Sequence, residues 1–138
     1  MPRLYRPILA CLILLSALVH GRSKATSPPV DSDYVYALAT ANNFLHAWQS
    51  QDQETAILLL SDRLKQHIVE TTLDSHLNSK AKPQSFEIGR GKKLRSDRYQ
   101  FPIALFPAPS NVRTMRPQMA TLLVIKTGKN EWAIDKLP

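Results

Sequence analysis

Apolar residues recur every three or four positions through the first half of the chain, and at every second position from Ser85 onward. The first spacing places them on one side of a helix. The second places them on one side of a strand. A run of helices followed by a run of strands can bury both apolar faces only against each other. The order therefore predicts an α+β fold, with N-terminal helices packed on an antiparallel sheet.

Individual segments sharpen that expectation. Asp31, Ser32 or Asp33 can cap a first helix, in which Tyr34, Ala37, Leu38, Ala41, Phe44, Leu45 and Trp48 share one face. Thr40, Asn43 and Gln49 take the opposite side. A second helix is predicted from about Glu54, with Ile57, Leu60, Leu64 and Ile68 inward and Asp62, Arg63, Lys65 and Gln66 outward. A third, shorter one fits Thr72 to Ser79, before Pro83. The strand half opens with Phe86 and Ile88, crosses the connection "GRGKKLRSD", and continues in "RYQFPIALFP" with Tyr99, Phe101, Ile103 and Leu105 on one face. Pro102 within that run predicts an edge strand or a bulge. The loop "PAPSNVRTMRP" leads to "QMATLLVIKTG", whose continuous apolar character predicts a central strand. "TGKNE" turns into "WAIDKL", where Trp132 and Ile134 would face the helices and Ala133 and Asp135 the other side. A buried indole there, covering about 200 Å², would pin the chain end.

The N-terminal residues read as an export signal. Arg3 and Arg6 precede an apolar run from Ile8 to Val19, which is too short for the ~18 to 20 residues of a spanning helix. Residues 1–21 are assigned to a signal peptide, 22–32 to a flexible linker carrying Pro28 and Pro29, and 33–138 to the domain. The protein is expected to be secreted or periplasmic. The alternative is a membrane anchor made by residues 4–19 if they stay uncleaved. The lone cysteine, Cys11, lies inside the apolar run. Ile8-Leu9-Ala10-Cys11 is a poor lipid-attachment box, because the run before Cys11 is short and continues well past it. Cleavage after Gly21 leaves no cysteine, so roughly 115 residues must be held by core packing alone.

The formal charge of +7 falls to +5 on cleavage after Gly21, and to +3 after Ala25. That mild excess gives little support to a nucleic-acid partner. The densest basic stretch holds Arg90, Lys92, Lys93, Arg95 and Arg98. It lacks the interleaved aromatic residues of a single-strand binder. Contact with anionic lipid headgroups or a wall polymer is the functional reading of that stretch, and a solvated hairpin connection the structural one, which we favour.

The pattern Ala-x-x-Phe-Leu-x-Ala-Trp at Ala41 to Trp48 precedes Gln-Ser-Gln-Asp and a Leu-Ser-Asp step, and the chain closes on Trp-x-Ile-Asp. In these features residues 33–137 resemble the nuclear transport factor 2-like superfamily, a curved sheet wrapped round a long helix as a cone. One departure is the absence of an early strand before Ser85. The resemblance implies a pocket in the cone, lined here by Trp48, Phe101 and Trp132, and a homodimer formed by sheet-face packing. Members include isomerase- and cyclase-like enzymes with a carboxylate or His base and a hydrogen-bond donor. Asp135, Asp97 and His46 are the candidate bases, with Tyr99 and Tyr36 the candidate donors. Each also has a plainer place: Asp97 in a charged connection, Asp135 exposed on a strand, His46 on a helix surface. His46, His67 and His76 lack metal-ligand spacing, so no metal and no cofactor is expected. The first reading is a non-catalytic domain that binds a small apolar ligand or an envelope protein. The alternatives are a small isomerase- or cyclase-like enzyme and a membrane-tethered accessory module of the envelope.

Overall fold

Helix α1 spans Ser32–Ser50 and is the longest element. Asp31 caps it by accepting the Asp33 N–H on its side chain. The helix ends at Gln51, whose left-handed backbone (φ 62°) turns its N–H back onto the carbonyls of Ala47 and Trp48. The predicted face is the buried one: Ala37, Ala41, Phe44, Leu45 and Trp48 all go inward, together with Ala47. The computed structural model describes residues 28–68, 75, 83–107 and 116–138. The signal segment, all of the linker up to residue 27, all but Ser75 of the third predicted helix, and the loop at 108–115 lie outside the described residues.

The second predicted helix is a correction. It divides into α2 (Gln53–Leu58) and α3 (Asp62–His67), each capped by its own side chain, Asp52 on the Thr55 N–H and Ser61 on the Leu64 N–H. Between them Leu60 extends and bridges in parallel to Ile134. The Ser61 N–H donates to the Ile134 carbonyl and the Ile134 N–H to the Leu59 carbonyl, each at 2.8 Å. The expected apolar stripe is therefore cut: Leu60 is buried, while Ile57 is exposed. Two good caps and two sheet hydrogen bonds outweigh the few helical ones that an unbroken helix would add.

Five strands follow among the described residues: β1 (Ser85–Ile88), β2 (Lys92–Arg95), β3 (Arg98–Phe106), β4 (Gln118–Lys126) and β5 (Trp132–Lys136). All neighbours are antiparallel. The order is β1-β3-β4-β5, with β2 beside β1 on the same flank of β3. The stretch expected as a mere connection thus contains a fully exposed strand, β2. Pro102 is also placed differently, since β3 is central to the sheet. Its position is explained by the Gly89 N–H donating to the Pro102 carbonyl at 2.8 Å. Nitrogen and oxygen of one strand residue point the same way. The missing proline donor therefore faces Gly89 at the break between β1 and β2, so the pairing of β3 with β4 loses no hydrogen bond.

Helices on one side of an antiparallel, unclosed sheet make this an α+β fold. Between the layers Phe44, Leu45, Trp48, Tyr99, Phe101, Ile103, Leu122, Val124, Trp132 and Ile134 form one buried cluster. Aromatic rings fill the end beneath the start of α1. Tyr34 meets Tyr99 edge-on at 5.6 Å, and Tyr99 lies 5.4 Å from Trp132. Gly91 belongs to this packing, because a Cβ there would stand 2.3 Å from the Phe101 ring. Only glycine lets the chain cross that ring.

Candidate functional site

The residues expected to line a cone pocket are packing residues. Trp48, Phe101 and Trp132 are all buried in the core cluster. Two concavities bordered by described residues are open grooves, one between α1 and the Asp52–Leu59 segment and one between α1 and β1.

The catalytic candidates are not brought together. Asp97 is exposed in the β2–β3 turn, and its carbonyl accepts the Lys126 N–H at 2.8 Å. Asp135 is only 3% exposed, against the expected exposed strand position. Its Oδ1 accepts from Ser61 Oγ at 2.7 Å and from Arg63 Nε at 3.1 Å, and its Oδ2 accepts from Arg63 Nη2. Burial pushes the Asp135 carboxyl up. The hydrogen bonds from Arg63 and Ser61, with the charges of Arg63 and Arg98, outweigh burial and hold it below its ordinary 3.8. A carboxylate held this firmly ionised is a poor proton acceptor. Its role is to fasten the Leu59–Ser61 segment to β5.

Tyr99 meets a different carboxylate. Its hydroxyl donates to Asp31 Oδ2 at 2.6 Å, and Lys93 Nζ donates to the same oxygen at 3.2 Å. Lys126 pairs with Asp33 at 2.8 Å and lies over the Trp132 ring. Burial, with the Asp31 carboxylate, pushes the Tyr99 hydroxyl up from 10.0. The hydrogen bonds from Tyr99 and Lys93 hold Asp31 down. These contacts tie the N-terminus of α1 to β2 and β3, and the Asp31 already identified as a helix cap anchors them. Tyr36 and His46 are exposed on α1, with His46 edge-on to the Phe86 ring at 4.9 Å. The Nδ1 of His67 lies 2.7 Å from the Arg63 carbonyl, and no metal-binding cluster occurs among the described residues. His76 lies outside them.

What remains is a surface that sequence reasoning missed. Val35, Leu38, Ala39 and Asn42 on α1 form a groove of about 490 Å³ with Phe86 and Ile88 of β1. Val35 is 47% exposed on its wall. Phe86 and Ile88 pair in register with Leu105 and Ile103, which puts them on the helix side of the sheet. The Gly89–Pro102 bond sets the ladder parity: Glu87 and Ser85 turn their N–H and C=O toward β3, while Phe86 and Ile88 turn theirs outward. Among the described residues no strand lies on that side. The groove thus combines an apolar floor with a free strand edge. The signal available in the sequence was the polar stretch on each side of Ser85–Ile88, with Pro83 before it and Gly89 after it, which marks a short edge strand.

No helix among the described residues is long and apolar enough to cross a membrane. No family model matches the chain, and neither a curated protein nor a solved structure matches it.

Proposed function

We propose that this chain is an exported, non-catalytic protein-binding domain of the nuclear transport factor 2-like kind, which receives an extended polypeptide segment on the edge of β1. The observation that carries the reading is the α1–β1 groove. Its Phe86 and Ile88 offer apolar side chains to the floor, and to the rim backbone groups that no strand among the described residues pairs. An incoming strand would hydrogen-bond to those two residues and drop every second side chain between β1 and α1. Strand addition beside a helix is a recurrent mode of peptide recognition, in which main-chain bonds supply affinity and alternate side chains supply selectivity.

The packed interior favours this over a small ligand held in the cone, since the expected lining residues are already in contact with one another. The separation of Asp135, Asp97 and Tyr99 favours it over an isomerase-like enzyme. The test is a titration of the labelled protein with short synthetic peptides of alternating valine and threonine, followed by amide chemical shifts. Shifts concentrated at Ser85–Ile88 and Val35–Asn42, and lost in Val35→Glu, support the reading. Shifts centred on the outer face of the sheet, around Met119 and Thr121, would replace it with the sheet-face dimer that the family resemblance implies.

A further inference from the structure

Strand β2 lies on the same flank of β3, and the groove makes no use of it. All four of its residues are exposed: Lys92, Lys93, Leu94 and Arg95. Lys93 is engaged with Asp31. Arg90, Lys92 and Arg95 have no ion-pair partner among the described residues. Between them Leu94 stands 43% exposed. An exposed apolar side chain flanked in sequence by cations without ion-pair partners among the described residues suits the boundary between anionic headgroups and acyl chains.

The position of the chain entry adds a second argument. Asp31 touches Lys93 at 3.2 Å, and the Tyr34 hydroxyl accepts the Gly91 N–H at 3.2 Å. The described chain therefore enters α1 beside β2, and residues 1–27, with their apolar run Ile8 to Val19, precede it in sequence. The 12 residues from Val19 to Asp31 reach roughly 40 Å at most when extended. A bilayer that holds or has just released the apolar run lies within reach of the cations of β2.

We propose that β2, with Arg90, docks on a bilayer surface rich in anionic phospholipid. Arg90, Lys92 and Arg95 contact phosphate groups, and Leu94 enters the acyl boundary. This surface is separate from the α1–β1 groove, and either assignment stands if the other fails.

The test places an environment-sensitive dye on residue 94 of the full chain, using Leu94→Cys with Cys11→Ser. A control carries the dye at the exposed Met119→Cys. With phosphatidylglycerol-containing vesicles the dye at residue 94 should move into an apolar environment, while the control stays in water. Each cation near such a surface contributes about fivefold to docking. The combined variant Arg90→Gln, Lys92→Gln, Arg95→Gln should therefore weaken docking by roughly 100-fold, with an unchanged melting temperature since all three side chains are exposed. Raised salt should weaken it in the same direction. The proposal is overturned if the dye at residue 94 stays in water on anionic vesicles, or shifts equally on phosphatidylcholine vesicles. It is also overturned if the triple variant docks like the parent, or if an oligonucleotide or anionic polysaccharide moves the dye and vesicles do not.

Discussion

The two flanks of the sheet are finished in opposite ways. Beyond β5, the Leu59–Ser61 segment adds a parallel bridge, satisfies Ile134 on both its N–H and C=O, and is fastened by Asp135 to Ser61 and Arg63. Beyond β3 on the other flank, two short strands meet at a glycine-bounded break and stop. One of them borders an apolar groove, and the other exposes Lys92 and Arg95, which have no ion-pair partner among the described residues. An unprotected strand edge invites pairing with other chains, so an edge left open while its counterpart is sealed carries meaning. Lysine and arginine along β2 discourage pairing there. The short edge of β1, whose one charge is Glu87, is left available.

Substitutions that attack the closed flank should cost most. Trp132→Ala should lower stability by about 3 to 5 kcal/mol in denaturant titration, because the indole is buried against Tyr99 and the core. A loss under ~1 kcal/mol would mean that β5 does not anchor the chain end. Leu60→Ala should cost about 3 kcal/mol, and should speed hydrogen exchange at the Ile134 amide, whose acceptor lies in the bridging segment. Exchange at that amide unaltered in Leu60→Ala would separate the bridge from the packing of Leu60.

At the break on the open flank, Gly91→Ala should cost about 2 kcal/mol, since the new methyl group would collide with the Phe101 ring. A neutral outcome would mean that the β1–β2 break can shift freely. Asp135→Asn should cost about 2 kcal/mol through its lost charge-assisted bonds.

The pH profile separates the flanks. The folded-state Asp135 value lies below 3.8, so its contribution is complete above that pH and fades as pH falls through the folded value. Tyr99 behaves in the opposite sense. Its hydroxyl is raised above 10.0, so its contribution is present below pH 10 and is lost as pH rises through the folded value. Asp135→Asn should therefore flatten only the acid limb of a stability–pH curve, whereas Tyr99→Phe should flatten the alkaline limb and, by removing the hydrogen bond that holds the Asp31 carboxyl down, part of the acid limb as well. If Asp135→Asn flattened both limbs, the two flanks would be coupled. The smallest effect on folding is expected from Val35→Glu in the groove wall, within about 0.5 kcal/mol. Its effect on peptide binding should be near complete.

Much of the architecture was legible because it follows from local periodicity. Five of the seven predicted stripe residues of α1 are buried, Tyr34 and Leu38 are half-buried and Ala47 joins them; the alternation in β3 and the central place of β4 were also legible. Misreadings came where two local patterns compete. Ile57, Leu60, Leu64 and Ile68 fit one helical stripe, yet Ser61 is also a good cap, and pairing with β5 settled the contest. The basic connection concealed β2 because four exposed residues carry no alternation. Asp135 was expected in solvent because nothing near it in sequence suggests a partner.

By its own pattern, then, the chain determined that helices precede strands, which faces are apolar, where α1 begins, and that Trp132 goes inward. Those properties depend on residues within a turn or a pleat of each other. The folded molecule alone decided that Arg63 meets Asp135 72 positions away, that Tyr99 donates to Asp31 68 positions away, and that one edge is sealed while no strand among the described residues covers the other. Such pairings are chosen by which surfaces the collapsed layers bring together, and side-chain periodicity along the chain carries no record of that choice.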